Sequence, residues 1–166
     1  MADARRDQIV AEARILLEAE GEAGLSMRRL AERLGIQAPS LYKHVPGKRD
    51  LQAAIVADGL RELGAALAAA PPGIAGLAAA YRAFALAHPH LYELMTERPL
   101  ARDLLPPGLE DEVAAPLVAA LGDEHRARAA WASAHGMASL ELAGRFPEGA
   151  DVDAAWVAMA RAFGAG

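Results

Sequence analysis

Apolar residues recur along the chain at the spacing of amphipathic helices, and glycine and proline interrupt that spacing repeatedly. In the first run, Ile9, Ala13, Leu16 and Leu17 fall on one helical face. Residues 98–108 hold three prolines and are predicted to form an irregular loop. The pattern predicts about nine helices, over residues 3–20, 27–34, 37–45, 48–69, 74–87, 91–96, 113–121, 123–143 and 151–163.

Several residues at the predicted helix ends are typical of helix starts and stops. Ser26, Asp123 and Asp151 each stand where a side-chain oxygen can accept a hydrogen bond from a first-turn amide. Gly35 follows the second run, at the position where a positive φ carries no Cβ penalty. Pro39 suits the first turn of the third helix, where no amide proton is needed.

The composition agrees with an all-α protein. Alanine accounts for 42 of the 166 residues, whereas valine, isoleucine and threonine together number 13. The chain has no cysteine, which excludes disulfides, thiolate metal sites and a cysteine nucleophile, and favours a cytoplasmic location. Neither a secretory signal nor a membrane span is expected, because the first residues are charged and the alanine-rich stretches are broken by proline.

Charge is unevenly distributed over a chain whose formal net charge is −5. Six basic residues and one acidic residue lie between Arg28 and Arg49, whereas eight basic and fifteen acidic residues follow from Asp50 onward. A basic island on an acidic body can present one face to a polyanion, although a solvated helix face would show the same charges.

Two short helices joined by a turn at Gly35 lie within residues 26–45, between a longer helix on each side. A helix-turn-helix of this kind places its second helix in the major groove of DNA, which accommodates one α-helix. The spacing therefore predicts an N-terminal DNA-binding head.

The exposed side of the third helix carries side chains that suit DNA. Gln37 can hydrogen-bond to adenine and Lys43 to guanine, while Lys48 adds charge at a helix start that already favours an anion. Small residues would allow close approach to a thymine methyl, and hydroxyl or imidazole groups could donate to phosphate: Ala38, Pro39, Ser40, Tyr42 and His44.

In three ordered strings the chain closely resembles the TetR family of transcriptional regulators: SMRRLAERLGI at 26–36, PSLYKHV at 39–45 and KRDL at 48–51. Gln37, Val45 and Gly47 depart from the serine, the aromatic residue and the serine or asparagine that are common in that family. These departures bear on the operator sequence rather than on the class of protein.

The resemblance implies a division into a helix-turn-helix domain at 1–47 and a helical regulatory and dimerisation domain at 48–166. It implies that Arg28 joins the eight third-helix and Lys48 candidates in contacting DNA. Tyr42 has a core role as its alternative, although the neighbouring Leu41 can fill the same interior. The apolar residues that would pack the head are Leu30, Ala31, Ile36 and Leu41.

The rest of the chain is similar to one TetR subgroup, which carries a Trp-His-Gly type of regulatory domain. The matching strings are HPHLYELM at 88–95 and WASAHGMASLELAGRF at 131–146. In that subgroup the C-terminal helices enclose a ligand cavity, and the last two helices pair with those of a second subunit. The resemblance therefore implies a homodimer that binds a small-molecule effector.

Small residues on the eighth helix and an apolar stripe on the ninth would let helices pack closely across a dimer interface. The alternative is that both stripes fill the core of one chain. The predicted dimerisation residues are Ala127, Ala134, Ala138, Trp156, Met159 and Phe163.

Aromatic, polarizable and titratable side chains in the second half could line an apolar ligand pocket. For His135, a core histidine bonded to a backbone carbonyl is the alternative. The predicted ligand contacts are Phe84, His88, Tyr92, Met95, Trp131, His135 and Met137.

Taken together, the sequence predicts a homodimeric repressor that places two copies of the third helix on a pseudo-palindromic operator and is released by a ligand. The long 48–69 helix would couple the two domains. No cofactor, metal or enzyme activity is expected. The alternatives are a helical dimeric interaction protein without sequence-specific DNA binding and a metal enzyme built on His88, His90 and His135.

Overall fold

A computed structural model describes residues 2–164, and within this range it contains nine α-helices, one 3-10 turn at Arg102–Leu104 and no strand. The predicted all-α class is therefore confirmed. The helices are α1 Ala2–Gly24, α2 Met27–Arg33, α3 Ala38–Tyr42, α4 Lys48–Ala68, α5 Ile74–Ala87, α6 Pro89–Thr96, α7 Leu109–Leu121, α8 Glu124–Leu142 and α9 Val152–Gly164.

The predicted caps form as expected. The Ser26 hydroxyl accepts from the Arg29 amide at 3.3 Å. The Asp123 carboxylate accepts from the Arg126 amide at 2.7 Å, and the Asp151 carboxylate accepts from the first turn of α9. These bonds satisfy amides that have no partner inside their own helix, so they fix where α2, α8 and α9 begin.

Three boundaries differ from the prediction. Helix α1 continues past Glu20 to Gly24, across a break in helical geometry at Gly21, where φ is 67°. Helix α6 begins at Pro89, because proline lacks only an amide that a first turn leaves unbonded. Helix α7 begins at Leu109, and three acidic residues in its first turn favour that start through the helix dipole.

The chain divides into two compact units. The first comprises the chain up to Leu60 together with His88–Pro107, and the second comprises Arg61–Ala87 together with the chain from Gly108 onward. Helix α4 begins in the first unit and ends in the second. These units differ from the predicted functional division at residue 47, which stays a prediction.

The first unit is built around a small apolar core. Helix α1 packs on α6 and α2, and α2 packs on α3. A Cβ at Gly59 of α4 would lie 2.7 Å from the sulfur of Met95, so α4 and α6 also approach closely. Its fully buried large side chains are Ile9, Leu16, Leu17, Leu25, Leu30, Leu41, Val45, Leu51, Ile55 and Leu91.

The second unit is a bundle in which α5 contacts α7, α8 and α9, and α8 also contacts α7 and α9. Helix α8 turns its small residues inward, where they permit close packing. Its buried residues are Ala127, Ala130, Ala134 and Ala138. Across residues 2–164, no helix combines the length and the apolar character needed to cross a membrane.

Candidate nucleic-acid interface

The turn between α2 and α3 has the hydrogen-bonding pattern of a Schellman motif. The Gly35 amide donates to the Glu32 carbonyl at 3.1 Å, and the Ile36 amide donates to the Ala31 carbonyl at 3.0 Å. Gly35 has a φ of 63°, as its position in the sequence predicted. The motif satisfies the last carbonyls of α2 and sets the direction in which α3 leaves the turn.

Helix α3 is oriented by two apolar side chains. Leu41 is fully buried and Val45, just beyond the helix, is 2% exposed. Tyr42, adjacent to Leu41, is 48% exposed, so a core role for this tyrosine is wrong. Burial on one side of α3 therefore turns its polar side outward.

Every predicted DNA-contact residue keeps access to solvent. Gln37 precedes α3 without using its side chain as a cap, and this side chain is exposed. The exposed members are Arg28, Gln37, Pro39, Tyr42, Lys43 and Lys48, and the half-buried members are Ala38, Ser40 and His44. Of the predicted head-packing residues, Leu30, Ala31 and Leu41 are buried and Ile36 is half-buried.

The basic residues of this surface differ in whether the chain itself neutralises them. Arg29 pairs with Glu20, and Arg33 pairs with Glu12 at 2.5 Å. Arg28 lies 3.6 Å from Glu32, with 86% of its side chain exposed.

Arg49 pairs with Asp103 at 2.6 Å. Within residues 2–164, Lys43 and Lys48 take part in no ion pair, so their charges are available to an external anion. The structure thus reduces the basic island to a few exposed cations beside α3.

Arg49 and Asp103 are the residues of this region that sequence reasoning missed. Their hydrogen bond raises the pKa of the Arg49 guanidinium, and the same bond lowers the pKa of the Asp103 carboxyl. The two residues are 54 positions apart, and Asp103 lies in the loop that the prolines predicted. Neither periodicity nor a local motif signals such a pair.

Comparisons with known proteins agree with the geometry of this head. A family model described as bacterial regulatory proteins of the tetR family matches residues 9–55. A second model, described as the C-terminal domain of tetracyclin repressor-like proteins, matches residues 74–163, which is more than half of the chain. The chain belongs to the TetR family.

Individual relatives extend the likeness over the full length of this TetR-family regulator. The uncharacterized HTH-type transcriptional regulator Rv0681 of Mycobacterium tuberculosis is 32% identical over 183 residues, covering 97% of this chain and 80% of that protein. The solved structure of SCO4313, named as a regulatory protein, has a TM-score of 0.81 at 28% identity and covers 98% of this chain and 96% of its own.

A third comparison concerns the fold alone. BioQ, solved with its double-stranded DNA operator, has a TM-score of 0.68 at 21% identity. The alignment covers 97% of this TetR-family chain and 98% of that one. The Trp-His-Gly subgroup that the sequence suggested stays a prediction.

Three of the predicted ligand contacts of the TetR-family chain lie in the first unit, in or next to α6. Tyr92 is 2% exposed, and the half-buried Met95 packs against Gly59 of α4. The Nδ1 atom of His88 lies 3.8 Å from the Glu18 carboxylate. His90 also contacts Glu18, with its Nδ1 atom 3.0 Å from the backbone carbonyl.

The other four predicted ligand contacts lie in the second unit. Phe84 is 5% exposed and Met137 is half-buried. Trp131 is 53% exposed on α8, so its prediction as an interior lining residue is wrong for this chain, because the helix turns its alanines inward instead. The His135 ring stacks on Trp131 with centroids 6.3 Å apart, and its Nδ1 atom lies 3.4 Å from the Ser139 hydroxyl.

Four of the six predicted dimerisation residues are buried inside the single chain. Ala127, Ala134, Ala138 and Trp156 are at most 8% exposed. Their stripe faces the neighbouring helices of the bundle, so the alternative, a core role, applies to them. Met159 and Phe163 are half-buried.

A different apolar surface points outward from α8 and α9. Trp131 is 53% exposed, Leu140 is 47% exposed and Val157 is 48% exposed. Ala132, on the same side of α8, is also exposed, and a Cβ at Gly136 would meet no atom within 4 Å. We call Trp131, Leu140 and Val157, with the small residues between them, the outer apolar surface.

An ionic network joins α5, α8 and α9 inside the second unit. The Arg82 guanidinium donates to both oxygens of Glu141, the shorter bond being 2.7 Å, and to Asp153 at 2.5 Å. The Trp156 indole donates to Glu141 at 2.8 Å. The Arg82 hydrogen bond lowers the pKa of Glu141. Within the described chain, no group of three or more histidine, aspartate or glutamate side chains is arranged to hold a metal ion.

Proposed function

We propose that this TetR-family regulator is a repressor that binds a pseudo-palindromic operator as a homodimer and is released by a small molecule. The observation that carries the proposal is the outward face of α3, where the exposed Tyr42 lies between residues that can contact bases and two lysines without an ionic partner. The likeness of residues 74–163 to tetracyclin repressor-like domains supports the repressor role.

The head is built to hold α3 rigidly while leaving one side exposed. Leu41 and Val45 bury the inner side, and the Gly35 turn fixes the approach from α2. Gln37 and Lys43 would then reach base edges in the major groove, while Lys48 would bind a phosphate. Phosphate contacts of this kind give affinity that falls as salt rises, and base contacts give the sequence preference.

The homodimer would form through the outer apolar surface. Trp131, Leu140 and Val157 expose large apolar side chains on adjacent helices, and small residues between them would let a second copy approach closely. A two-fold dimer presents two α3 helices, and these suit half-sites about one helical turn, or 34–36 Å, apart.

Release by a small molecule requires that the ligand bind unequally to two states of the dimer. The remaining candidate contacts are Tyr92, His88 and Met95 in the first unit, and Phe84, His135 and Met137 in the second. Helix α4 contributes residues to both units and carries Lys48 at its start, so a shift in α4 would alter the DNA-binding surface. A DNA-binding regulator of this kind would act in the cytoplasm.

Selection of binding sites from a random duplex library by the purified full chain tests the proposal. We expect enrichment of an inverted repeat bound by two chains, with affinity in the nanomolar range at physiological salt. Enrichment of a single half-site would contradict the homodimer. No enrichment would contradict the repressor and favour the helical interaction protein.

A further inference from the structure

Arg49 is a cation at the edge of the DNA-binding surface that the proposed contacts leave out. It follows Lys48 directly in the first turn of α4, and 61% of its side chain is exposed. An arginine there suits a phosphate, because its planar guanidinium can donate two hydrogen bonds to one anion. In this structure, however, its donor group is bound to the Asp103 carboxylate at 2.6 Å.

Asp103 differs from the acids that neutralise the other arginines of the head. Arg28, Arg29 and Arg33 pair with glutamates of α1 and α2, which are helices of the head itself. Asp103 comes instead from the 3-10 turn that follows α6, 54 residues from Arg49. Its partnership with Arg49 therefore depends on where the loop after α6 lies.

The loop is held against the head by a second ion pair. Arg98, at the start of the loop, lies 2.9 Å from the Glu22 carboxylate of α1, and Glu22 also accepts from Gln52 of α4. Within the loop, the Leu104 amide donates to the Ala101 carbonyl at 2.9 Å, which shapes the turn that carries Asp103. The Asp103 side chain is 63% exposed, so solvent and ions reach the pair and it can open.

We propose that Asp103 competes with the DNA backbone for Arg49, so that the loop after α6 restrains DNA affinity and its displacement gives Arg49 a phosphate contact. The inference rests on the proposed function, since it assumes that the α3 and Lys48 surface faces DNA. A carboxylate and a phosphate oxygen accept the same hydrogen bonds from arginine. Removing the carboxylate would release the guanidinium and would also remove a negative charge that the phosphates repel.

Four versions of the full chain test this competition: the parent, Asp103→Asn, Arg49→Gln and the double variant. Each is titrated with the duplex selected for the parent and with a duplex of arbitrary sequence, at several salt concentrations. One additional phosphate contact steepens the slope of log K against log salt by about 0.9, which corresponds to about eightfold tighter binding at about 0.1 M salt.

We expect Asp103→Asn to bind both duplexes about five- to tenfold more tightly at about 0.1 M salt, because phosphate contacts do not depend on sequence. Arg49→Gln alone should change affinity less than about twofold, since Arg49 is already occupied. In the double variant the gain should disappear. Asp111→Asn, which removes one exposed carboxylate from the first turn of α7, is the matched control for net charge and should resemble the parent.

Two results would overturn the inference while leaving the proposed function intact. In one, Asp103→Asn resembles Asp111→Asn although the parent prefers its selected duplex. In the other, the gain from Asp103→Asn persists when Arg49 is also replaced. If no version binds either duplex, the inference and the proposed function fail together. Binding by Asp103→Asn where the parent binds neither duplex would support the competition in its strongest form. Equal melting temperatures would show that the variants fold alike.

Discussion

Tyr42 is the residue whose placement separates a DNA-contact role from a core role most clearly. Its side chain is 48% exposed, while Leu41 beside it is fully buried. Tyr42→Ala should therefore leave the melting temperature nearly unchanged and weaken binding to the selected duplex about tenfold, as expected for loss of a hydrogen bond to a charged group.

Tyr42→Phe separates the contribution of the hydroxyl from that of the ring. If the hydroxyl donates to a phosphate, the phenylalanine variant should lose most of the affinity that the alanine variant loses. Parent-like affinity in both variants, measured in the same titration, would show that Tyr42 does not face DNA.

Glu141 makes the stability of the second unit depend on pH. Because Arg82 lowers its pKa from 4.5 in the folded chain, the ionised carboxylate stabilises the folded state above the unfolded pKa, and this stabilisation is lost as pH falls through the folded value. We expect the free energy of unfolding to be nearly constant near about pH 7 and to fall below about pH 4.5.

Urea unfolding of Glu141→Gln at about pH 7 and about pH 4 tests this assignment. The variant should lose about 1–3 kcal/mol at the higher pH and show a smaller drop between the two pH values. Glu148→Gln, a change at an exposed glutamate, is the matched control and should follow the parent. An unchanged pH dependence in Glu141→Gln would contradict the assignment.

Among the elements, the turn between α2 and α3 depends most directly on one residue. Gly35 has a φ of 63°, and an added Cβ would meet no atom within 4 Å. Gly35→Ala should therefore cost only the backbone term, about 1–2 kcal/mol of unfolding free energy. Gly47→Ala is the control in the same head, because Gly47 has no positive φ and its Cβ would make only an ordinary contact at 3.5 Å. Equal stability of the two variants would contradict this account of the turn.

Helix positions and caps could be predicted because their causes are local in sequence. Ser26, Asp123 and Asp151 cap helices as expected, since a cap needs only a side chain three residues from its amide. The starts of α6 and α7 were predicted too late, because apolar spacing does not report a first turn made of proline or acidic residues. The inward face of α8 was also predictable, but periodicity cannot say which helix covers that face.

At the scale of the whole molecule, the outer apolar surface accounts for assembly. Leu140 is 47% exposed, so Leu140→Arg should leave the chain folded and shift it from dimer to monomer at micromolar concentration. Affinity for an inverted repeat should fall at least tenfold, because two heads would no longer bind as one unit. Sedimentation and the same duplex titration measure both effects.

Leu86→Arg provides the control for that variant. Leu86 lies on α5 and is 43% exposed, so the same charge is added outside the outer apolar surface. It should remain dimeric and bind DNA like the parent. A dimeric Leu140→Arg variant, or a monomeric Leu86→Arg variant, would contradict the assigned interface.

The whole-chain contacts show where sequence reasoning ends. The strings at 26–36 and 39–45 were enough to predict the head, because both the turn and the orientation of α3 arise within about twenty residues. Trp131 and the Arg49–Asp103 pair could not be placed, because the first depends on how four helices pack and the second joins residues 54 positions apart.

The most direct test of the central claim is the salt dependence of DNA binding by the full chain and by Lys48→Ala, on the duplex selected for the parent. We expect a steep decline of affinity with salt in the parent, and a slope about 0.9 shallower in the variant, because one phosphate contact is lost. Arg145→Ala removes an exposed charge from the second unit and should keep the parent's slope. A flat salt dependence in the parent, or equal slopes for the parent and Lys48→Ala, would contradict a head that holds DNA through the α3 and Lys48 surface.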